Sequence, residues 1–145
     1  NPELLIGQHV VAAPYVKESG LEVIPTGYML IDSGAQTTAS YISNTWPIPY
    51  EKNDIAVCTA MAGEMLGLRM IYLDGGSGAK NHVSPGMVKG VKQSINIPLV
   101  VGGGIRNASA AKKICEAGAD LLVVGNAIEE NLEQLARISE AVHNF

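Results

Sequence analysis

Three times between residues 70 and 131 an apolar run leads straight into glycines and then into a helix-forming segment: "MIYLDGGSGA", "PLVVGGGIRN" and "LLVVGNAIEEN". The runs are continuous rather than alternating, the mark of parallel strands covered on both sides. A fourth run, "LEVIPTGYMLID", predicts a strand from about Leu21 to Ile31, interrupted by Pro25 and Gly27. A long polar segment follows it, which for its length is either functional or holds a short helix. Predicted helices fill the intervals. Asp54 caps "DIAVCTAMAGEMLG", which Gly67 ends, and "SPGMVKGVKQSI" follows. Next comes "ASAAKKICEAG", stopped by Gly118. In the last helix, "LEQLARISEAVHN", Leu132, Leu135, Ile138 and Val142 continue a face begun by Ile128. Strand followed by helix, repeated, means an α/β fold.

Two architectures share this signature. A doubly wound sheet needs a reversal of strand order, with its ligand at that crevice. A (βα)8 TIM barrel puts its site on the loops that follow the strands, with phosphate held by the last two. Here the unusual chemistry follows three successive strands, which favours the barrel. A barrel takes about 250 residues, whereas the chain has 145. Residues 1–145 are therefore expected to form the C-terminal half of one barrel domain. Asn1, Pro2 and Glu3 read as a helix cap and first turn, which adds the expectation that a longer polypeptide precedes them.

Composition narrows the function. A net charge of −4 with no basic stripe argues against nucleic acid. No run of about 18 apolar residues spans a membrane, though peripheral contact stays open. Cys58 and Cys115 sit in apolar helical patterns and read as buried thiols in a reducing, cytoplasmic setting.

Successive glycines let backbone N–H groups converge on one point, and a helix start favours an anion there. Gly102, Gly103 and Gly104 precede one helix, and Gly125 with Asn126 precede another. One such loop is explained by a tight turn; two on neighbouring strands point to phosphate. Asp74 ends its strand, Tyr72 offers a phenol, and Ser77 and the N–H of Gly78 offer donors. A carboxylate beside an anion cradle suits a ligand that also has hydroxyls, a small phosphorylated polyol. Helix capping or a salt bridge accounts for Asp74 equally well on its chemistry alone.

Taken together, "YLDGGSGA", "IPLVVGGGIRN", "AGADLLVVGNAIEEN" and "LEVIPTGYMLID" resemble the geranylgeranylglyceryl phosphate synthase family, which includes bacterial heptaprenylglyceryl phosphate synthases. The resemblance implies a (βα)8 barrel that binds sn-glycerol 1-phosphate. It also implies Mg2+-dependent prenyl transfer from a prenyl diphosphate to the C3 hydroxyl, and a homo-oligomer. By position it gives glycerol and part of the phosphate to Tyr72, Leu73, Asp74, Gly75, Gly76, Ser77 and Gly78. Gly103, Gly104, Gly125 and Asn126 complete the phosphate site. The family usually has Glu where this chain has Asp74, so orienting the hydroxyl is its expected role. The family's magnesium-binding acid lies on a first strand expected to be absent here. No metal ligand is assigned, and activity is expected to need the N-terminal part.

The prenyl chain needs an apolar trough, for which Tyr28, Tyr41, Trp46 and Tyr50 are candidates, although ordinary packing explains them as well. His9, His82 and His143 show no ligand spacing. Arg106 and Lys80 are within reach of a phosphate or of a salt bridge, while Lys89, Lys92, Lys112 and Lys113 read as solvated helix faces. Two other readings stay open: another phosphate-binding barrel isomerase or synthase, and a non-catalytic half-barrel.

Overall fold

A computed structural model of the chain describes Gly7 and residues 9–144. Its four strands are β1 (Thr26–Leu30), β2 (Met70–Asp74), β3 (Leu99–Gly102) and β4 (Leu121–Val123). They form one sheet in sequential order, and every pairing is parallel. No reversal of order occurs among them, so the doubly wound alternative does not hold for these strands. Register sets Tyr28 beside Tyr72 and Leu30 beside Asp74, then Asp74 beside Gly102 and Gly102 beside Val123. The C-terminal ends therefore lie level, and the loops that follow them crowd one edge of the sheet.

The helices are α1 (His9–Glu18), α2 (Thr38–Ser43), α3 (Asn53–Met65), α4 (Pro85–Lys92), α5 (Ala108–Glu116), α6 (Asn126–Glu130) and α7 (Glu133–His143). Ser84 caps α4 by accepting from the Met87 N–H, with Pro85 as its first residue, and Asn107 caps α5 through the Ala110 N–H. Gly67 and Gly118 end α3 and α5 in left-handed conformation.

Side chains alternate along a strand, and the two faces of this sheet differ. Met29, Ile71, Leu73, Leu99 and Val101 face the helices and pack with Met87, Val88, Val91 and Ile114. Leu73 is fully buried there, worth about 1.5–3 kcal/mol against exposure. A second cluster, Ile105, Ala111 and Ile138, joins α5 to α7. The other face carries Tyr28, Tyr72, Asp74, Val100, Leu121 and Val123, of which Tyr28, Leu121 and Val123 are about half exposed. Leu30, Val100 and Asp74 are buried on that same face, so among the described residues it is covered only in part, not fully as expected.

Other expectations shift too. Leu21–Pro25 form no strand: Pro25 lacks an N–H, and the ladder opens with its carbonyl accepting from Arg69. Asp54 lies inside the first turn of α3, whose cap is Lys52. The proposed cap at Asn1–Glu3 lies outside the described residues. "GNAIEEN" is no loop but contains α6, so Ile128 is not on the last helix, where Leu132 and Leu135 are exposed and Ile138 is buried. Cys115 is buried, which pushes its thiol up, aided by Glu116, but Cys58 is exposed. Lys92 is no solvated bystander. Its ammonium donates to Asp120 at 2.6 Å, and the same Asp120 oxygen accepts from the Leu99 N–H at 2.7 Å, joining α4 to the starts of β3 and β4.

Candidate active site

The loop after β2 turns back through left-handed residues at Gly76 and Gly78. The Gly75 N–H donates to the Gly102 carbonyl at 2.9 Å, and the Gly76 N–H to Asp74 Oδ1 at 2.8 Å. Next to it the loop after β3 passes through Gly103 and Gly104, also left-handed. A β-carbon at Gly103 would lie 2.6 Å from the Gly76 nitrogen, and one at Gly104 2.6 Å from the Asn81 backbone. Both glycines are therefore required by loop-on-loop packing as well as by conformation.

Between these loops and the start of α6 lies a cavity of about 210 Å3. Tyr72, Asp74, Gly76, Ser77, Gly78, Gly103, Gly104, Gly125 and Asn126 all line it, with Ile105 and Arg106. Two expected residues do not. Leu73 points into the helix-side core, and Gly75 is buried against Asn81 and Gly103 behind the loop. The loops are tied across the cleft: the Ser77 hydroxyl and the Gly78 N–H both donate to Asn126 Oδ1 at 3.3 Å.

Asp74 is buried, and Tyr28 donates its hydroxyl to Asp74 Oδ2. With Gly76 on the other oxygen, the carboxylate is fixed in place and still has lone pairs for a further donor. Neither capping nor a salt bridge describes it. Tyr28 meets Tyr72 edge to face, centroids 5.4 Å apart. Burial first, then Asp74, hold both phenols above their ordinary values, Tyr72 up to about 12, so both stay protonated donors. From the sequence Tyr28 is a trough or packing residue; the structure adds its bond to Asp74. Its missed signal was the β1–β2 register, which places Tyr28 diagonally across from Asp74.

Arg106 makes no salt bridge among the described residues; its Nη2 donates to the Ala79 carbonyl at 3.2 Å. His82 binds the Val83 carbonyl at 2.7 Å, and Lys80 is exposed outside the cleft. A second cavity, about 750 Å3, lies beyond β1 and is lined by Leu30, Ile31, Thr37, Trp46, Pro47 and Pro49 among others. Trp46 is 94 % exposed, which core packing does not explain; Tyr41 and Tyr50 do not line this cavity. Thr37, held in a capping box at α2, also abuts Gly76, so the two cavities share a wall.

Residues 1–142 match the PcrB family along nearly the whole chain. The chain belongs to the PcrB family. It is 59% identical over 143 residues to the geranylgeranylglyceryl phosphate synthase of Chitinophaga pinensis, covering 99% of this chain and 57% of that protein. To the protein of that name from Spirosoma linguale it is 53% identical over 145 residues, covering all of this chain and 58% of the relative. The crystal structure of (S)-3-O-geranylgeranylglyceryl phosphate synthase from Thermoplasma acidophilum, in complex with substrate sn-glycerol-1-phosphate, superposes with a TM-score of 0.92 at 34% identity. That match covers all of this chain and 59% of the other. The α/β fold and its parallel sheet thus match those of the barrel synthases. The chain spans under two thirds of the length of these PcrB relatives. The likenesses run its whole length and lend no support to the expectation that activity needs an N-terminal part.

Among the described residues no group of three or more His, Cys, Asp or Glu comes together to hold a metal ion. Asp74 is the single acid lining the cleft among the described residues. These residues do not fit a Mg2+ site, and no step below is routed through the ion. No described helix is long and apolar enough to cross a membrane.

Proposed function

We propose that the cleft binds sn-glycerol 1-phosphate and presents its C3 hydroxyl to a prenyl diphosphate. The observation that carries this is a fixed, buried carboxylate at one side of a cavity whose loops present glycine main chain to it. The walls, Gly76 to Gly78, Gly103, Gly104 and Gly125, suit a phosphate, and Asp74 suits a hydroxyl. The relative bound to sn-glycerol-1-phosphate supports the same reading.

In the reaction the C3 oxygen attacks the allylic carbon of the donor. A new C–O bond forms there, the bond to diphosphate breaks, and diphosphate leaves with the electron pair. Asp74 orients the hydroxyl by accepting its hydrogen bond and takes up the proton as the C–O bond forms. Tyr28 and the Gly76 N–H keep that carboxylate from swinging away. The larger cavity beyond β1 is the proposed place of the prenyl chain, since it is apolar along Leu30, Ile31, Trp46 and the prolines and adjoins the cleft at Thr37. Asp74 is the cleft's only lining carboxylate among the described residues, which fits one hydroxyl better than the paired acids of an isomerase.

We further infer that residues 1–145 form one half of a (βα)8 barrel, Tyr28, Leu121 and Val123 facing its interior. As an isolated chain it should self-associate through that face and the β1 and β4 edges. A stable monomer by light scattering at micromolar concentration would contradict this. The activity itself is tested by incubating the protein with Mg2+, sn-glycerol 1-phosphate and mixed prenyl diphosphates. A prenylglyceryl phosphate detected by mass supports it and gives the donor's chain length. Bound glycerol phosphate without product moves the reading to another phosphate-binding barrel enzyme.

A further inference from the structure

The charges of the cleft are few. Of its lining residues only Asp74 bears a negative charge and only Arg106 a positive one. A phosphate monoester is close to a dianion above about pH 6, and it would have to settle near Asp74 in a chain of net charge −4. Main-chain N–H groups offset this with partial charges only. Arg106 is the full charge at hand.

Its situation suits that task. The ion pairs among the described residues are Arg69–Glu22, Lys92–Asp120 and Lys112–Glu116, and none involves Arg106. The guanidinium has five N–H donors in a rigid fork, and the Ala79 carbonyl occupies one nitrogen. That bond sets Arg106 against the same loop that carries Ser77 and Gly78. Buried Ile105 anchors the backbone just before it. Arg106 also lines an adjoining polar cavity of about 270 Å3, together with Gly78, Asn126, Glu130 and Gln134. It thus stands at the partition between the cleft and a second opening, on the Ala79 side, while Asp74 is held on the Tyr28 side.

We propose that Arg106 selects the dianionic phosphate in this cleft, and so sets the preference for phosphorylated over plain polyols. The proposal rests on the glycerol phosphate reading of the cleft. The ligand's charge runs from phosphate to hydroxyl, and the cleft answers it from Arg106 to Asp74. Fork geometry matters as much as charge, because a guanidinium meets two phosphate oxygens at once and an ammonium does not.

The test is calorimetric titration of sn-glycerol 1-phosphate into the wild-type protein, Arg106→Gln and Arg106→Lys, at about pH 5.5 and 7.5, on either side of the phosphate's second ionisation. At the higher pH Arg106→Gln should bind roughly tenfold to hundredfold more weakly, the range expected for losing charged hydrogen bonds. It should also lose most of the wild type's gain between the two pH values, and Arg106→Lys should recover part of each. Should Arg106→Gln not fold, Arg106→Lys with several-fold weaker binding supplies the same comparison. Wild-type affinity in both variants overturns the role of Arg106 and leaves the cleft reading intact. Equal weakening of Arg106→Gln at both pH values also overturns it, since that is the result of a mere brace on Ala79. No binding by the wild type overturns the cleft reading, and this inference with it.

Discussion

The two faces of the sheet are made of the same four strands and do opposite things. Toward the helices lie Leu73, Ile71, Leu99 and Val101, which pack in the apolar core and are sealed from water. On the other face Tyr28 donates to Asp74 and packs edge to face on Tyr72, a cluster beside the cleft, and Leu121 and Val123 stay half exposed. Neighbouring residues of a single strand, Leu73 and Asp74, thus belong one to the core and one to the cleft.

Substitutions can break that division or sharpen it. Leu73→Ala should have the largest effect, lowering stability by about 2–5 kcal/mol, because a sealed core cannot collapse around the gap. Urea denaturation checks it, and a loss under 1 kcal/mol would mean that the helix face is looser than described. Asp74→Ala should leave the fold in place and cut turnover at least tenfold, about 1.4 kcal/mol or more in the barrier. Near-wild-type rates would remove Asp74 from the reaction. Tyr28→Phe deletes only a hydroxyl and should fall between wild type and Asp74→Ala in turnover.

Smaller still is the Lys92–Asp120 link. Opposing its burial, the Lys92 hydrogen bond and the Leu99 N–H lower the Asp120 pKa below its ordinary 3.8. A depressed carboxyl stabilises the fold above that ordinary value and gives the contribution up as pH falls through its lowered one. Asp120→Asn should therefore cost under about 1 kcal/mol at neutral pH, the pair being partly exposed, and the difference should vanish in acid. Thermal unfolding of both proteins between about pH 2 and 7 would show the gap closing. Smallest, Val123→Ala on the open face should shift stability by no more than about 0.5 kcal/mol. A core-sized loss there would mean that something covers that face in solution.

The parts of the molecule read correctly from the sequence are those fixed by local rules. Gly67 and Gly118 end helices because left-handed backbone favours glycine. Apolar runs gave the strands for the same reason. What needed the fold was whatever depends on register or on the neighbour across the sheet. Tyr28 looks like an ordinary strand aromatic until its hydroxyl meets Asp74, 46 positions away. Leu73 lies in the same motif as Asp74, yet strand alternation sends it to the other side. The exposure of Leu121 and Val123 was hidden because a continuous apolar run does not tell which of its faces has a cover.

A wall of main chain cannot be altered one residue at a time. At Gly76, Gly103 and Gly104 the cleft presents backbone where a side chain has no room, so mutation has little there to work on. Change in what this cleft can hold is channelled into two routes: its lining side chains, such as Tyr72, Asp74, Ser77, Arg106 and Asn126, or insertions and deletions that redirect a loop. Laboratory evolution aimed at a new polyol should therefore fail with point libraries over the glycines and succeed, if anywhere, with libraries that vary loop length after β2 and β3.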